Sequence, residues 1–194
     1  MRIFVALDID DAIRGRIQRF MEGVQEFAPD VRWVRPESLH VTLKFIGERP
    51  EESVEQVKAA LSRIASNPFL LSFRGFGFFP TAKSPRVFWI GIEAEPELRR
   101  LAATIDDAAA ALGIAKEDHS FSPHLTLARI GSAAPSRQKG DRVNRRFAKL
   151  QDKLGNLSFP DFGTMTARQF FLYESQTLRE GARYTKTAGY PLNS

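Results

Sequence analysis

Short apolar segments alternate with amphipathic ones along the whole chain. Strands are expected where β-branched and aromatic residues cluster in short runs, and helices where apolar residues recur every three or four positions. This pattern predicts strands at residues 3–8, 31–34, 39–45, 69–79, 87–92, 124–130, 167–174 and 182–190. It predicts helices that begin near Asp10 or Asp11, at Pro50 and at Pro96, and a further short helix within residues 137–153.

The order of these elements indicates two related halves, each of which supplies one strand that begins with a histidine. We therefore predict an α+β fold, with a bilobal, pseudo-twofold arrangement of two antiparallel sheets, helices outside and a central cleft. No low-complexity tract or linker divides the chain. Residues 1–194 are accordingly expected to form a single domain made of two related lobes.

The composition excludes several classes of site. The chain has 194 residues and no cysteine, which rules out a disulfide scaffold, thiolate-bound zinc, iron–sulfur clusters and a cysteine nucleophile. No apolar stretch approaches the roughly 18 residues that span a bilayer, and the first 16 residues lack the layout of a signal peptide. We expect a cytoplasmic protein that does not contact a membrane, and a monomer is the default expectation.

Positive charge is concentrated in one segment. Residues 137–153 carry seven positive and two negative charges, a difference equal to the net charge of +5 of the whole chain. Such a segment can bind a nucleic-acid backbone, or it can be the solvated face of a helix. The sequence leaves both interpretations open.

Two strands share a pattern that carries candidate chemistry. The segments H-V-T-L at residues 40–43 and H-L-T-L at residues 124–127 match, and together they use two of the three histidines in the chain. Side chains alternate between the faces of a strand, so each histidine shares a face with the threonine two residues later, while the aliphatic residues face the other way. If the two strands face each other, they form a pocket with two imidazoles and two hydroxyls.

That set of groups fits the cleavage of a phosphodiester. One neutral imidazole can take a proton from the attacking oxygen, while a protonated one delivers a proton to the leaving oxygen. An unperturbed imidazole pKa near 6.5 allows both states close to neutral pH. Threonine hydroxyls can hydrogen-bond the non-bridging phosphate oxygens. This chemistry requires neither a metal nor a cofactor, and none is expected.

Beyond the two H-x-T-L segments, the sequence resembles the two-histidine (2H) phosphoesterases, and among them the RNA 2′,3′-cyclic phosphodiesterases, also called 2′-5′ RNA ligases. The matching segments are R-I-F-V-A-L-D at 2–8, W-V-R-P-E-S-L-H-V-T-L-K-F-I-G at 33–47, S-P-R-V-F-W-I-G at 84–91, F-S-P-H-L-T-L-A-R at 121–129 and L-Y-E-S at 172–175. They extend over essentially the whole chain. The resemblance implies a bilobal fold with the phosphate between the two strands, and opening of an RNA 2′,3′-cyclic phosphate to a 2′-phosphomonoester without a metal.

The resemblance also implies roles for individual residues. It makes His124 the base that activates water and His40 the acid that protonates the departing 3′ oxygen, although the two roles could be reversed. The family motifs H-x-T-x-x-F and H-x-T-x-x-R are both intact. They imply that Thr42, Thr126 and Arg129 bind the substrate phosphate and that Phe45 is a candidate nucleotide contact.

The positions of Phe45 and Arg129 conflict with a regular strand. Each lies five residues after its histidine, an odd spacing that would direct its side chain away from the pocket. For either residue to face the pocket, its strand must contain a bulge or end near Lys44 or Ala128.

Other functions use the same residues. The pocket could catalyse reversible 2′-5′ RNA ligation, in which a 5′ hydroxyl replaces water, or it could cleave 2′-5′ linked oligonucleotides. A non-catalytic nucleotide-binding module is a further alternative, although simple phosphate binding has no need for two titrating imidazoles. Hydrolysis of an RNA end that carries a 2′,3′-cyclic phosphate is the leading hypothesis.

Overall fold

The architecture was obtained from a computed structural model, which describes residues 1–94, 96–131, 145–178 and 181–193. The described residues form antiparallel strands and α-helices. In chain order these are β1 (Arg2–Leu7), α1 (Asp11–Val24), β2 (Arg32–Trp33), β3 (Val41–Glu48), α2 (Glu51–Leu61), β4 (Phe69–Thr81), β5 (Ser84–Ala94), α3 (Pro96–Ala110), β6 (His124–Arg129), α4 (Ala148–Gly155), β7 (Asp161–Ala167), β8 (Gln169–Leu178) and β9 (Gly181–Pro191).

The strands form two sheets in which every pair is antiparallel. The first sheet has the order β3-β1-β8-β9 and the second has the order β2-β6-β5-β4-β7. Each sheet therefore contains strands from both ends of the chain. The first sheet carries the strand that follows His40, and the second carries the strand that begins at His124. The predicted α+β arrangement of two antiparallel sheets is confirmed.

The helices cover one face of the sheets and leave the other face for the cleft. Helix α1 buries Ile13, Ile17, Met21 and Val24, which recur at helical spacing. On the same side Phe20 packs edge-on against Phe162 of β7, with ring centroids 5.2 Å apart. Buried side chains from both sheets and all four helices form a large hydrophobic core, and Phe4, Ala6 and Tyr173 form a small separate cluster in the first sheet.

The sequence pattern missed strand β7. We predicted a single strand at 167–174, whereas β7 ends at Ala167 and β8 begins at Gln169. The irregular pairing lies at Gly163, which has a positive φ of 102°: Phe73 pairs with Gly163 and the next residue pairs with Asp161. This bulge disrupts the alternation of apolar side chains, which is a main local signal of a strand.

The basic segment is described in part. Arg145–Phe147 form a 3₁₀ turn that leads into α4, with Phe147, Leu150 and Leu154 buried. The predicted short helix is therefore present, and residues 137–144 lie outside the described residues. Within the described part of the chain, no helix is both long enough and apolar enough to cross a membrane.

Candidate active site

The cavity between β3 and β6 brings the two histidine motifs together. It has a volume of about 200 Å³ and receives side chains from both sheets. All six residues singled out in the sequence line it: His40, Thr42, Phe45, His124, Thr126 and Arg129. Val34, Ser38, Phe79, Val87 and Tyr184 complete the walls.

A bulge in β3 brings Phe45 to the cavity. Ala6 of β1 pairs with Thr42 and Val5 pairs with Lys44, so that Leu43 is the extra residue. Leu43 and Lys44 are both buried, and the side-chain alternation shifts by one position. As a result Phe45 shares a face with Thr42, and its side chain remains 58% exposed at the cavity.

Strand β6 has a bulge at the matching position. Trp89 of β5 pairs with Thr126 and Phe88 pairs with Ala128, which leaves Leu127 as the extra residue. Leu127 and Ala128 are both fully buried. Arg129 thereby lies on the same side of the strand as Thr126 and reaches the cavity.

The bulge in β3 is accompanied by a buried cation. The Lys44 side chain is only 2% exposed, and its ammonium group lies 2.6 Å from an oxygen of Asp106 on α3. It also donates a hydrogen bond to the carbonyl oxygen of Ala115 at 2.7 Å. These partners hold Lys44 on the core side of the strand, so the following residue points toward the cavity.

The two histidines have the same local geometry. Nδ1 of His40 lies 2.7 Å from the carbonyl oxygen of Ser38, and Nδ1 of His124 lies 2.8 Å from that of Ser122. A carbonyl oxygen only accepts hydrogen bonds, so each Nδ1 must carry the proton. In both rings Nε2 is then the nitrogen left to exchange a proton with a substrate.

Aromatic side chains surround each imidazole. Phe4 and Tyr184 pack against His40, with ring centroids 4.8 Å and 5.1 Å away. Phe79 packs edge-on against His124 at 4.9 Å, and Trp89 lies at 6.4 Å. These contacts restrict the orientation of both rings and remove water from around them.

Burial and charge shift the titration of both histidines. Burial lowers the pKa of His40 from 6.5 to about 4; the Ser38 carbonyl and Asp8 oppose the shift, whereas Arg129 and His124 add to it. Burial also lowers the pKa of His124, with a further decrease from Arg129 and an opposing effect of the Ser122 carbonyl. Both imidazoles are therefore neutral near pH 7 in the free protein.

An arginine holds the segment that precedes each histidine. Arg14, on α1, donates hydrogen bonds to the carbonyl oxygens of Pro36 at 2.6 Å and Leu39 at 3.4 Å, and it pairs with Asp8 at 2.7 Å. Asp8 in turn pairs with Lys186 of β9.

Arg99, the fourth residue of α3, makes the corresponding contact in the second motif. It donates a hydrogen bond to the carbonyl oxygen of Phe121, three residues before His124. Arg14 is likewise the fourth residue of its helix. The two arginines are thus equivalent supports of the two histidine segments.

Sequence reasoning missed these supporting residues, although a signal was present. The repeat is longer than H-x-T-L, since both copies read S-x-H-x-T-L, beginning at Ser38 and Ser122. Arg14 and Arg99 each follow a buried aliphatic residue in the first turn of a helix, as I-R and L-R. Neither dipeptide is specific enough to be noticed without the fold.

In residues 1–94, 96–131, 145–178 and 181–193, no group of three or more histidine and carboxylate side chains is placed to bind a metal ion.

Comparison with known proteins gave consistent matches over the whole chain. A family model described as "LigT like Phosphoesterase" matches twice, at residues 7–89 and 90–184, and each match contains one histidine motif. A protein of Archaeoglobus fulgidus named RNA 2′,3′-cyclic phosphodiesterase is 36% identical over 184 residues, covering 95% of this chain and 96% of its own. A Thermus thermophilus protein of the same name is 37% identical over 144 residues, 70% of this chain and 71% of its own.

A solved structure shows the same arrangement of elements. The crystal structure of Escherichia coli LigT complexed with 3′-AMP superposes with a TM-score of 0.78 at 28% identity. The match covers 100% of this chain and 98% of that chain.

Proposed function

The chain belongs to the LigT-like phosphoesterase family, and from this premise we propose that it hydrolyses RNA 2′,3′-cyclic phosphate ends to 2′-phosphomonoesters without a metal. The observation that carries the proposal is the matched pair of imidazoles in one cavity, each with Nδ1 bound to a carbonyl oxygen and Nε2 left for proton transfer. RNA is the partner, and the enzyme acts as a monomer in the cytoplasm.

The two histidines divide the proton transfers. His124 accepts a proton from water as the water oxygen forms a bond to phosphorus. The bond between phosphorus and the 3′ oxygen breaks, and His40 donates a proton to that oxygen. The product carries a 2′-phosphate and a free 3′ hydroxyl, and the proton gained by His124 returns to His40 through solvent.

His40 can act as the acid only if it is protonated when the substrate is bound. His40 has a low pKa in the free protein, so it must gain a proton when the anionic phosphate binds. A bound anion favours a protonated imidazole, and Asp8 contributes in the same direction at His40 and is not among the groups that shift the pKa of His124. The net lowering is nonetheless large at His40, so the assignment of His40 as the acid follows the resemblance to the family and not these shifts.

The remaining cavity residues bind and orient the substrate. Thr42 and Thr126 donate hydrogen bonds to the non-bridging phosphate oxygens, and Arg129 adds a positive charge where negative charge develops. Phe45, which is exposed at the cavity, offers a ring face on which the terminal base stacks.

The decisive experiment uses an RNA oligonucleotide that ends in a 2′,3′-cyclic phosphate, with excess chelator present. We expect wild-type protein to form the 2′-phosphate, and His40→Ala and His124→Ala each to lower kcat at least ~100-fold, the range of general acid or base catalysis. Circular dichroism of both variants controls for folding. Activity that disappears with chelator and returns with a divalent cation would contradict metal independence.

Other outcomes identify other reactions of the same cavity. If the cyclic end is not opened, 2′-5′ linked oligonucleotides are the next substrates, and a mixture of cyclic and 5′-hydroxyl ends tests 2′-5′ ligation. Binding of these RNAs without any turnover would indicate the non-catalytic module.

A further inference from the structure

A pair of arginines extends from the cavity along the surface of the second sheet. Arg32 of β2 lies directly opposite Arg129 of β6 in the antiparallel register. Residues directly opposite each other in such a pair project to the same face of the sheet. Arg129 lines the cavity, and so does Val34, which lies two residues after Arg32 and just beyond the end of β2. Arg32 therefore lies on the cavity face, one step further out.

The Arg32 side chain packs against Gly131. A Cβ atom at Gly131 would lie 2.8 Å from Nε of Arg32 and 3.1 Å from its guanidinium carbon. The guanidinium therefore occupies space next to residue 131 that a Cβ atom would fill. Gly131 lies two residues beyond Arg129, about 7 Å along an extended strand.

Within the described residues, no carboxylate pairs with either of these two arginines, Arg32 and Arg129. Like charges directly opposite each other in a sheet are destabilising, and an anion placed between or beside them reverses that effect. The two arginines therefore favour the binding of a second anionic group next to the phosphate bound at the histidines.

We propose that Arg32, seated on Gly131 beside Arg129, binds the phosphate on the 5′ side of the terminal nucleoside, so that the preferred substrate is an oligonucleotide end rather than a cyclic mononucleotide. This inference rests on the proposed function. His124, Thr126, Arg129 and the Arg32 guanidinium follow one another along the cavity side of β6. A nucleic-acid strand presents its phosphates in a similar row, one for each nucleotide.

The test compares two substrates that differ only by the group in question. One is adenosine 2′,3′-cyclic phosphate with a free 5′ hydroxyl, and the other is the adenosine dinucleotide with the same cyclic end. We expect Arg32→Gln to lower the ratio of kcat/KM for the dinucleotide to kcat/KM for the mononucleotide by about tenfold, as for a lost hydrogen bond to a charged group. Arg19→Gln, at an exposed arginine of α1 in the helix layer, is the matched control and should leave this ratio as in wild type.

A binding measurement separates this inference from the proposed function. We expect a ten-nucleotide RNA with a 2′-phosphate end to bind Arg32→Gln more weakly than wild type, with the slope of log K against log salt reduced by about 0.7. If Arg32→Gln weakens RNA binding as expected but wild-type protein opens no cyclic phosphate, the proposed function is contradicted and the role of Arg32 is not. Equal effects of Arg32→Gln on both cyclic substrates, or no effect on the dinucleotide and on RNA binding, would overturn the role of Arg32.

Discussion

At the scale of single residues, the two histidines are alike in hydrogen bonding but differ in their surroundings. Both donate Nδ1–H to the carbonyl oxygen of the serine two residues earlier. His40 also packs against Phe4 and Tyr184, and burial lowers its pKa to about 4. Because Arg129 lowers the pKa of both rings, its charge links the two titrations.

Replacing Arg129 tests this electrostatic link. Arg129→Gln removes a positive charge that disfavours a protonated imidazole, so the pKa of both His40 and His124 should rise toward 6.5. Two-dimensional NMR of the imidazole resonances over pH 3 to 8, a range set by the ordinary histidine pKa, follows each ring separately. Unchanged midpoints in the ligand-free variant would show that Arg129 does not act on the histidines through its charge.

At the scale of elements, two bulges and two arginines determine how the histidine strands present their side chains. The extra residues Leu43 and Leu127 shift the alternation, so the side chains two positions later turn to the cavity. Helices α1 and α3 contribute Arg14 and Arg99, which hold the backbone just before each histidine. Each histidine is thus oriented both by its own strand and by a helix.

Loss of the Arg14 contacts should impair His40 more than His124. Arg14→Ala frees the carbonyl oxygens of Pro36 and Leu39, and we expect kcat to fall about tenfold with little change in KM, since a misplaced acid weakens the transition state more than substrate binding. Arg14→Lys should restore part of kcat because an ammonium group can bond one of these carbonyls but lacks the guanidinium fork.

The corresponding variant of the second motif is the control. In NMR spectra, Arg14→Ala should shift the ring resonances of His40, and Arg99→Ala those of His124. A variant Arg14→Ala that is less stable to heat but retains wild-type kcat and His40 resonances would restrict Arg14 to a purely structural role.

At the scale of the whole molecule, the two sheets do not correspond to the two halves of the sequence. Strand β1 pairs with β8 in the first sheet, and β2 pairs with β6 in the second. Helix α1 packs on the second sheet, whereas Lys44 in the first sheet pairs with Asp106 of α3. Neither half of the chain can form a complete sheet without the other.

Unfolding should therefore be a single cooperative transition, as the prediction of one domain requires. Both tryptophans, Trp33 and Trp89, are in the second sheet, so tryptophan fluorescence reports on that sheet while far-ultraviolet circular dichroism reports on both. We expect the urea midpoints of the two signals to coincide. Two separate midpoints would mean that the lobes unfold independently.

The sequence alone determined most elements of secondary structure and the chemical groups of the site. The alternation of side chains along a strand is a local property, so the repeated H-x-T-L segment was sufficient to place each imidazole and its threonine on one face. The same local signal failed at β7, where the bulge at Gly163 disrupts the alternation.

Only the tertiary structure decided how these groups are used. The partner strands set the bulges that turn Phe45 and Arg129 to the cavity, and burial lowers the pKa of both histidines. The pairing of β2 with β6 brings Arg32 beside Arg129, although 96 residues lie between them in the chain. Strand register, burial and the proximity of charges depend on residues that are distant in sequence, so no local pattern predicts them.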